Sequence, residues 1–293
     1  MDNILEMRRK ENSGEEILAG YTPEFPYVSS RTFVSRYDVL WHWHKSVELF
    51  YIEEGTLEYE TPQGRVICPA GTGGLVNAGV LHTTRPQESH TVQLLHIFNP
   101  VLLSGQREGL IYQKYFSPIL SAPQIELLPI TRDHVDTLEK LRASFRIPPC
   151  APAYELQLRE SLTSIWLDLL PLLPSGLEPG EELSSERIKE MMLYVWEHYQ
   201  EDIRTADVAA AGYVCQRECY RLFHQFLHTT PAEYIRSCRL HAACRMLAEG
   251  SETITEISRA CGFGTSSFLG KVFRANLDTT PIAYRRIWQN HTN

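Results

Sequence analysis

Residues 210–236 read AAGYVCQRECYRLFHQFLHTTPAEYIR, and residues 260–286 read ACGFGTSSFLGKVFRANLDTTPIAYRR. Set fifty positions apart, the two stretches share nine identities in 27 positions: Ala210/Ala260, Gly212/Gly262, Phe223/Phe273, Leu227/Leu277, Thr229/Thr279, Thr230/Thr280, Pro231/Pro281, Tyr234/Tyr284 and Arg236/Arg286. Tyr213/Phe263, Leu222/Val272 and Arg221/Lys271 are conservative pairs. A threonine-threonine-proline run kept in step with an upstream Phe and Gly means that one small unit occurs twice.

Each copy predicts a short helix (205–211; 255–261), a tight turn through Gly212 or Gly262, and a second helix (216–225; 266–275). Glycine ends the first helix by taking the left-handed conformation at no steric cost, and Tyr213 or Phe263 then fills the angle between the helices. Two helices meeting at a wide angle, the second free to enter a major groove, is the grammar of a helix-turn-helix. Between the copies, residues 232–249 predict a third helix whose Ile235, Leu240, Ala243, Cys244 and Leu247 form a buried face. At about 1.5 Å per residue it spans roughly 27 Å. Such a bar holds two recognition helices about one DNA turn, near 34 Å, apart.

The exposed positions of the second helices are the candidate DNA contacts: Gln216, Arg217, Glu218, Tyr220, Arg221 and His224 in copy one, and Thr265, Ser266, Ser267, Gly270, Lys271 and Arg274 in copy two. Arg217 lies near a helix start and carries a planar fork, which suits bidentate contact with guanine. Arg221 is placed for a phosphate or for a pair with Glu218. Lys271, Arg274, Thr279 and Thr280 suit the phosphate backbone.

Arg239-Leu240, Ala243, Leu247, Ile254, Ile257, Ala260-Cys261-Gly262-Phe263, Ser267-Phe268, Lys271-Val272-Phe273-Arg274 and Thr280-Pro281-x-x-Tyr284-Arg285 resemble the signature of AraC/XylS-family transcription regulators over about 190–288. The resemblance implies a double helix-turn-helix reader of a double-stranded DNA operator, a small-molecule effector, a homodimer, and RNA polymerase as a partner if the protein activates. The family pattern has Gly where this chain has His228 and Asp278. Asp tolerates the left-handed conformation; His228 predicts a differently shaped turn. Cys215 stands where a Ser cap is common.

Upstream, Pro174 to Ser185 is rich in Pro, Gly, Ser and acid, and reads as a linker. Residues 25–100 hold short alternating runs punctuated by Gly and Pro, at 47–52, 56–60, 65–68, 74–77 and 91–98, which predict a sandwich or barrel. Helical patterns follow at 132–146 and 153–172. In the second, Leu156, Leu158, Leu162, Ile165, Trp166, Leu169 and Leu170 fall mostly on one stripe, open to core packing or to dimerisation.

Trp41-His42-Trp43-His44 places two histidines at i and i+2, which on a strand share one side. The run His42-x-His44-x3-Glu48-x6-Gly55, followed by Gly71-x5-Asn77-x-Gly79-x2-His82, resembles the two cupin motifs. It departs from them at Arg36, Asn77 and Pro86. Cupins converge such residues inside a small barrel, and AraC-family proteins often carry one as a sensor. Three imidazoles and a carboxylate at His42, His44, Glu48 and His82 suit one divalent transition metal, Zn, Ni, Fe or Mn. The same set equally suits direct contact with a polar effector, or a satisfied structural network. Phe50 and Ile52, in register with Glu48, are expected to line the cavity, with Trp41 and Trp43 facing outward or onto the helices.

Composition sets the remaining limits. Of 293 residues, 43% are hydrophobic and 22% charged, which marks a globular chain. No apolar run reaches the length of a membrane span, and the first twenty residues lack the apolar core of a secretion signal, so the expected location is the cytoplasm. The seven cysteines (68, 150, 215, 219, 238, 244, 261) form no CxxC pair and read as small buried hydrophobes. The net charge of −8 lies upstream: residues 184–293 carry 13 Lys+Arg against 12 Asp+Glu. A near-neutral C-terminal part can still carry a basic face.

The expected architecture is multidomain, an N-terminal all-β cupin-like barrel with following helices and a C-terminal all-α double helix-turn-helix. Residues 1–120 form the effector- or metal-sensing barrel, 121–173 a helical dimerisation segment, 174–185 the linker and 186–293 the DNA-binding domain. The expected function is a non-enzymatic, ligand-controlled transcription regulator. The competing class is a metal-dependent cupin enzyme, a dioxygenase or isomerase, with an accessory C-terminal region.

Overall fold

Val47–Glu54 (β2) is buried along almost its whole length because both of its faces are covered. Val47, Leu49 and Tyr51 point to one side and join a core completed by helices, while Phe50 and Ile52 point to the other and meet Leu57, Tyr59 and Cys68. That alternation, two residues per repeat with apolar groups on each face, makes β2 the centre of the N-terminal unit. The computed structural model describes residues 8–9, 16–17, 21–34, 39–88, 90–174, 176–177 and 183–291. They divide into two units, one ending at 177 and the other beginning at 183 among the described residues.

In the first unit, Tyr27–Val34 (β1), β2, Thr56–Thr61 (β3), Gly64–Pro69 (β4), Gly73–Val76 (β5), Thr83–Pro86 (β6), Thr91–Phe98 (β7) and Leu127–Ile130 (β8) form two antiparallel sheets, apart from a two-residue pairing of Arg8–Arg9 with Glu16–Ile17. One sheet has the order β8-β5-β2-β7-β1 and the other β4-β3-β6. The predicted barrel is therefore not closed. Gly55, at φ 75°, turns the chain out of the large sheet between β2 and β3, and a Cβ there would lie 2.3 Å from the His90 carbonyl oxygen. The sheets then face each other through side chains instead of a continuous hydrogen-bond ladder. Strands β1, β6 and β8 were not expected from the sequence. They are short or polar on one face, so their apolar pattern is weak.

Helices Val135–Ser144 (α1) and Tyr154–Leu169 (α2) cover the outer side of β2. Leu158, Leu162, Ile165, Trp166 and Leu169 are spent on this unit's own core, and Leu156 and Leu167 are left on the surface. Full burial of a side chain of Leu size contributes about 1.5–3 kcal/mol. Asn77 stands where the cupin pattern has Pro, and it braces the fold, because its amide donates to the Ile119 and Ile125 carbonyls at 2.9 and 3.0 Å. Arg36 and, in the predicted linker, residues 175 and 178–182 lie outside the described residues.

The second unit is helical: Leu183–His198 (α3), Thr205–Ala211 (α4), Gln216–Leu227 (α5), Pro231–Glu249 (α6), Ile254–Ala260 (α7), Ser266–Leu277 (α8) and Pro281–His291 (α9). The repeat is visible in its contacts. Phe223 meets Tyr234 edge-on at 5.6 Å, and Phe273 meets Tyr284 the same way at 5.7 Å. Thr230 caps α6 and Thr253 caps α7, each in a capping box with the Glu three residues on. Cysteines 68, 219, 238, 244 and 261 are buried, as expected of small hydrophobes, while Cys150 and Cys215 are exposed.

The two turns differ where the sequence predicted sameness. Gly262 is left-handed at φ 73° and Phe263 is buried, as expected. Gly212 has φ −87°, and the left-handed position is Tyr213, whose side chain is 91% exposed and plugs nothing. The backbone bonds show why: Val214 N–H donates to Ala209, and Phe263 N–H to Ser258. The counterpart of Phe263 is thus Val214, and copy two carries one extra turn residue. Gly212 is instead needed for close approach, since a Cβ would meet Met191 Cγ at 2.7 Å. His228 and Asp278 close α5 and α8 in the same left-handed conformation, φ 50° and 49°, so the turn at His228 is not differently shaped.

Candidate functional site

His42 and His82 are placed opposite each other by a backbone bridge in which each N–H donates to the other's carbonyl at 3.0 Å. Their rings lie 4.1 Å apart, and the His44 ring lies 5.3 Å from that of His82. Glu48, on the inner face of β2, puts Oε2 3.4 Å from His44 Nε2 and 3.6 Å from His82 Nε2. One potential ligand atom from each of the four residues lies within 4.8 Å of all the others, and all four residues are buried.

The second nitrogen of each ring fixes the tautomer. His42 Nδ1 contacts the Leu40 carbonyl at 2.9 Å, His44 Nδ1 that of Ser46 at 2.8 Å and His82 Nδ1 that of Val80 at 2.9 Å. A carbonyl only accepts, so each Nδ1 carries a hydrogen and each ring turns its Nε2 inward. Among the described residues nothing hydrogen-bonds His82 Nε2, although it is buried. Burial opposes ionisation of Glu48, but the His44 and His82 imidazoles hold it ionised, below the usual carboxylate range. Burial, reinforced by His82 and His44, holds His42 neutral. Three inward ring nitrogens and an ionised carboxylate are a donor set that a positive charge between them balances. Backbone-anchored Nδ1 atoms are the outer support that metal-binding histidines commonly have. The residues present fit a divalent metal.

The other oxygen of Glu48 is held separately: Tyr59 O–H donates to Oε1 at 2.8 Å, and Gln93 Nε2 donates to the Tyr59 oxygen. Neither residue was singled out from the sequence. Gln93 shares the inward face of β7 with Leu95 and Ile97, which is a signal; Tyr59, in the polar run Thr56–Thr61, carries none. Phe50 stacks on Tyr59 at 4.0 Å, and Ile52 is fully buried in the apolar core, so both support the site from behind and do not line an open cavity. Trp41 and Trp43 are buried, not outward.

In the second unit, Gln216, Arg217, Tyr220, Arg221 and His224 are exposed along α5, with Glu218 half-buried. Arg221 is engaged: it donates to both Glu218 oxygens at 2.8 and 2.6 Å and to Gln225 at 2.6 Å. No such pair is formed by Arg217 among the described residues. On α8, Thr265 caps the helix by accepting from Phe268 N–H at 3.2 Å, Ser267, Lys271 and Arg274 are exposed, and Ser266 and Gly270 are half-buried. Helix α8 thus presents hydroxyls at its start and the basic Lys271 and Arg274 beyond them.

Residues 34–147 match the family model of the AraC-like ligand binding domain, and residues 208–287 match that of a helix-turn-helix domain. The chain belongs to the AraC family of transcription regulators. Its relatives within the family include the HTH-type transcriptional regulator YdeC of Bacillus subtilis (strain 168), 24% identical over 289 residues that cover 93% of this chain and 96% of that protein. The transcriptional activator RhaS of Enterobacter sp. (strain 638) is 30% identical over 122 residues, 41% of this chain and 44% of its own. ToxT of Vibrio cholerae shares the fold, with a TM-score of 0.50 at 12% identity over 89% of this chain and 98% of its own. This AraC-family chain has no described helix long and apolar enough to cross a membrane.

Proposed function

We propose that this regulator reads a double-stranded DNA operator through α5 and α8 and adjusts that reading to a small molecule held at a metal centre formed by His42, His44, Glu48 and His82. The observation that carries the proposal is the doubled helix-turn-helix, closed in both copies by the same Phe–Tyr contact. Helix α6 has 19 residues and so is about 28 Å long, which suits two readers on successive major grooves. A metabolic enzyme has no use for such a pair.

Arg217 reads a base edge, most simply guanine. Arg221, held by Glu218 and Gln225, stiffens the reading helix, while Lys271, Arg274, Thr279 and Thr280 hold phosphates. A divalent ion bound by the four ligands supplies positive charge and open positions for an effector's oxygen or nitrogen. His42, His44 and His82 offer Nε2, and Glu48 offers one oxygen. The effector shifts the DNA-binding state only as far as it prefers one state over the other. The regulator works in the cytoplasm as a homodimer, with RNA polymerase as a further partner when it activates.

Changing His42→Ala together with His44→Ala tests this division of labour. The double variant is expected to bind operator DNA like the wild type while losing metal and any effector response. Loss of a metal-dependent turnover, with no change in any DNA-linked response, would favour an enzyme instead.

A further inference from the structure

Glu48 has two oxygens, and the protein treats them differently. Oε2 faces His44 and His82, whereas Oε1 accepts a hydrogen bond from Tyr59 at 2.8 Å. Nothing about a metal or effector requires this second contact. It comes from β3, eleven residues further along the chain, on the opposite sheet.

The phenol is fixed on every side. Its ring is fully buried and stacked on Phe50 with planes 18° apart. Gln93, paired across the ladder with Ile52 on β2, donates its amide to the phenol oxygen. That bond occupies the oxygen's acceptor side and leaves its hydrogen directed at Glu48.

We propose that Tyr59, oriented by Gln93, is the positioning residue that makes Glu48 a one-oxygen ligand of the metal centre. The inference rests on the metal reading above. A carboxylate free to rotate can grip a metal with both oxygens and fill a position that an effector would otherwise take. With Oε1 tied to Tyr59, the chain offers three nitrogens and one oxygen, and the remaining positions stay open. Outer partners of this kind commonly account for roughly 10–100-fold in metal affinity.

The test uses the full chain loaded with Co(II), whose visible absorption reports coordination number, together with equilibrium dialysis for affinity. Tyr59→Phe keeps the ring and its stacking while deleting the donor, and Gln93→Leu is the second variant should the first fold poorly. Both are expected to weaken Co(II) binding roughly 10–100-fold and to lower the intensity of the visible band as Glu48 adds its second oxygen. In a Glu48→Gln background, Tyr59→Phe is expected to change neither quantity, because its effect runs through the carboxylate. A shift in melting temperature with an unchanged cobalt spectrum and affinity would make Tyr59 a core residue only and overturn the inference, leaving the metal reading intact. Absence of Co(II) binding by the wild type would overturn both.

Discussion

Arg217 and Arg221 lie one turn apart on α5 and share a charge, but their surroundings assign them different work. Arg221 is clasped by Glu218 and Gln225, and Glu218 in turn is held below its usual ionisation range by that guanidinium. Arg217 has its fork available near the helix start. Arg217→Ala is therefore expected to weaken specific operator binding by about 1–3 kcal/mol and to relax preference at one base pair, with Arg221→Ala costing less. Competition anisotropy against single-base operator variants measures both, and an Arg217→Ala protein with unchanged sequence preference removes it from the readout. The ligands His42, His44, Glu48 and His82 were legible because three lie within seven residues at spacings that suit one side of an extended chain. Tyr59 and Gln93 were not, because their tie to Glu48 runs across two sheets whose pairing no local pattern specifies.

Between elements, His96 joins β7 to α1. Its Nδ1 contacts the Tyr27 hydroxyl and its Nε2 the Ser144 hydroxyl, both at 2.7 Å, and its ring stacks on Phe145 at 3.7 Å. Burial pushes its pKa down to about 3. The folded protein thus keeps this ring neutral, while the unfolded chain takes up a proton below its ordinary value of 6.5. Stability contributed by the neutral ring is complete above pH 6.5 and lost as pH falls from there towards 3, at up to about 1.4 kcal/mol per pH unit. Denaturant melts of the wild type between pH 7 and 4, compared with His96→Gln, are expected to show a steeper loss in the wild type; parallel curves would show that His96 plays no part.

Helix α2 leaves two leucines on the surface. Its stripe was legible from the sequence, but that stripe serves the core, and the outward Leu156 and Leu167 bracket Glu160 and Thr163 at heptad spacing. Leu156→Glu with Leu167→Glu is expected to convert a dimer to a monomer in sedimentation velocity without lowering the melting temperature. An unchanged sedimentation coefficient would show that α2 forms no dimer contact. The turns show where periodicity misleads: identity at Gly212 and Gly262 suggested one shared geometry, yet the extra residue in copy two moves the left-handed position to Tyr213.

For the whole molecule, charge and architecture lead to one expectation. The acidic excess lies upstream, and the helical unit is balanced, so attraction to DNA is expected to come from the local placement of Arg217, Lys271 and Arg274 and not from net charge. The doubled reader was legible because it repeats. The open two-sheet form was not, because a turn such as Gly55 decides whether a strand stays in its sheet. The most direct measurement is fluorescence anisotropy of the full chain on DNA lying immediately upstream of its own gene, at two salt concentrations with scrambled competitor. Saturable binding that resists the competitor and weakens as salt rises is the predicted result; binding indistinguishable from that to scrambled DNA would contradict it.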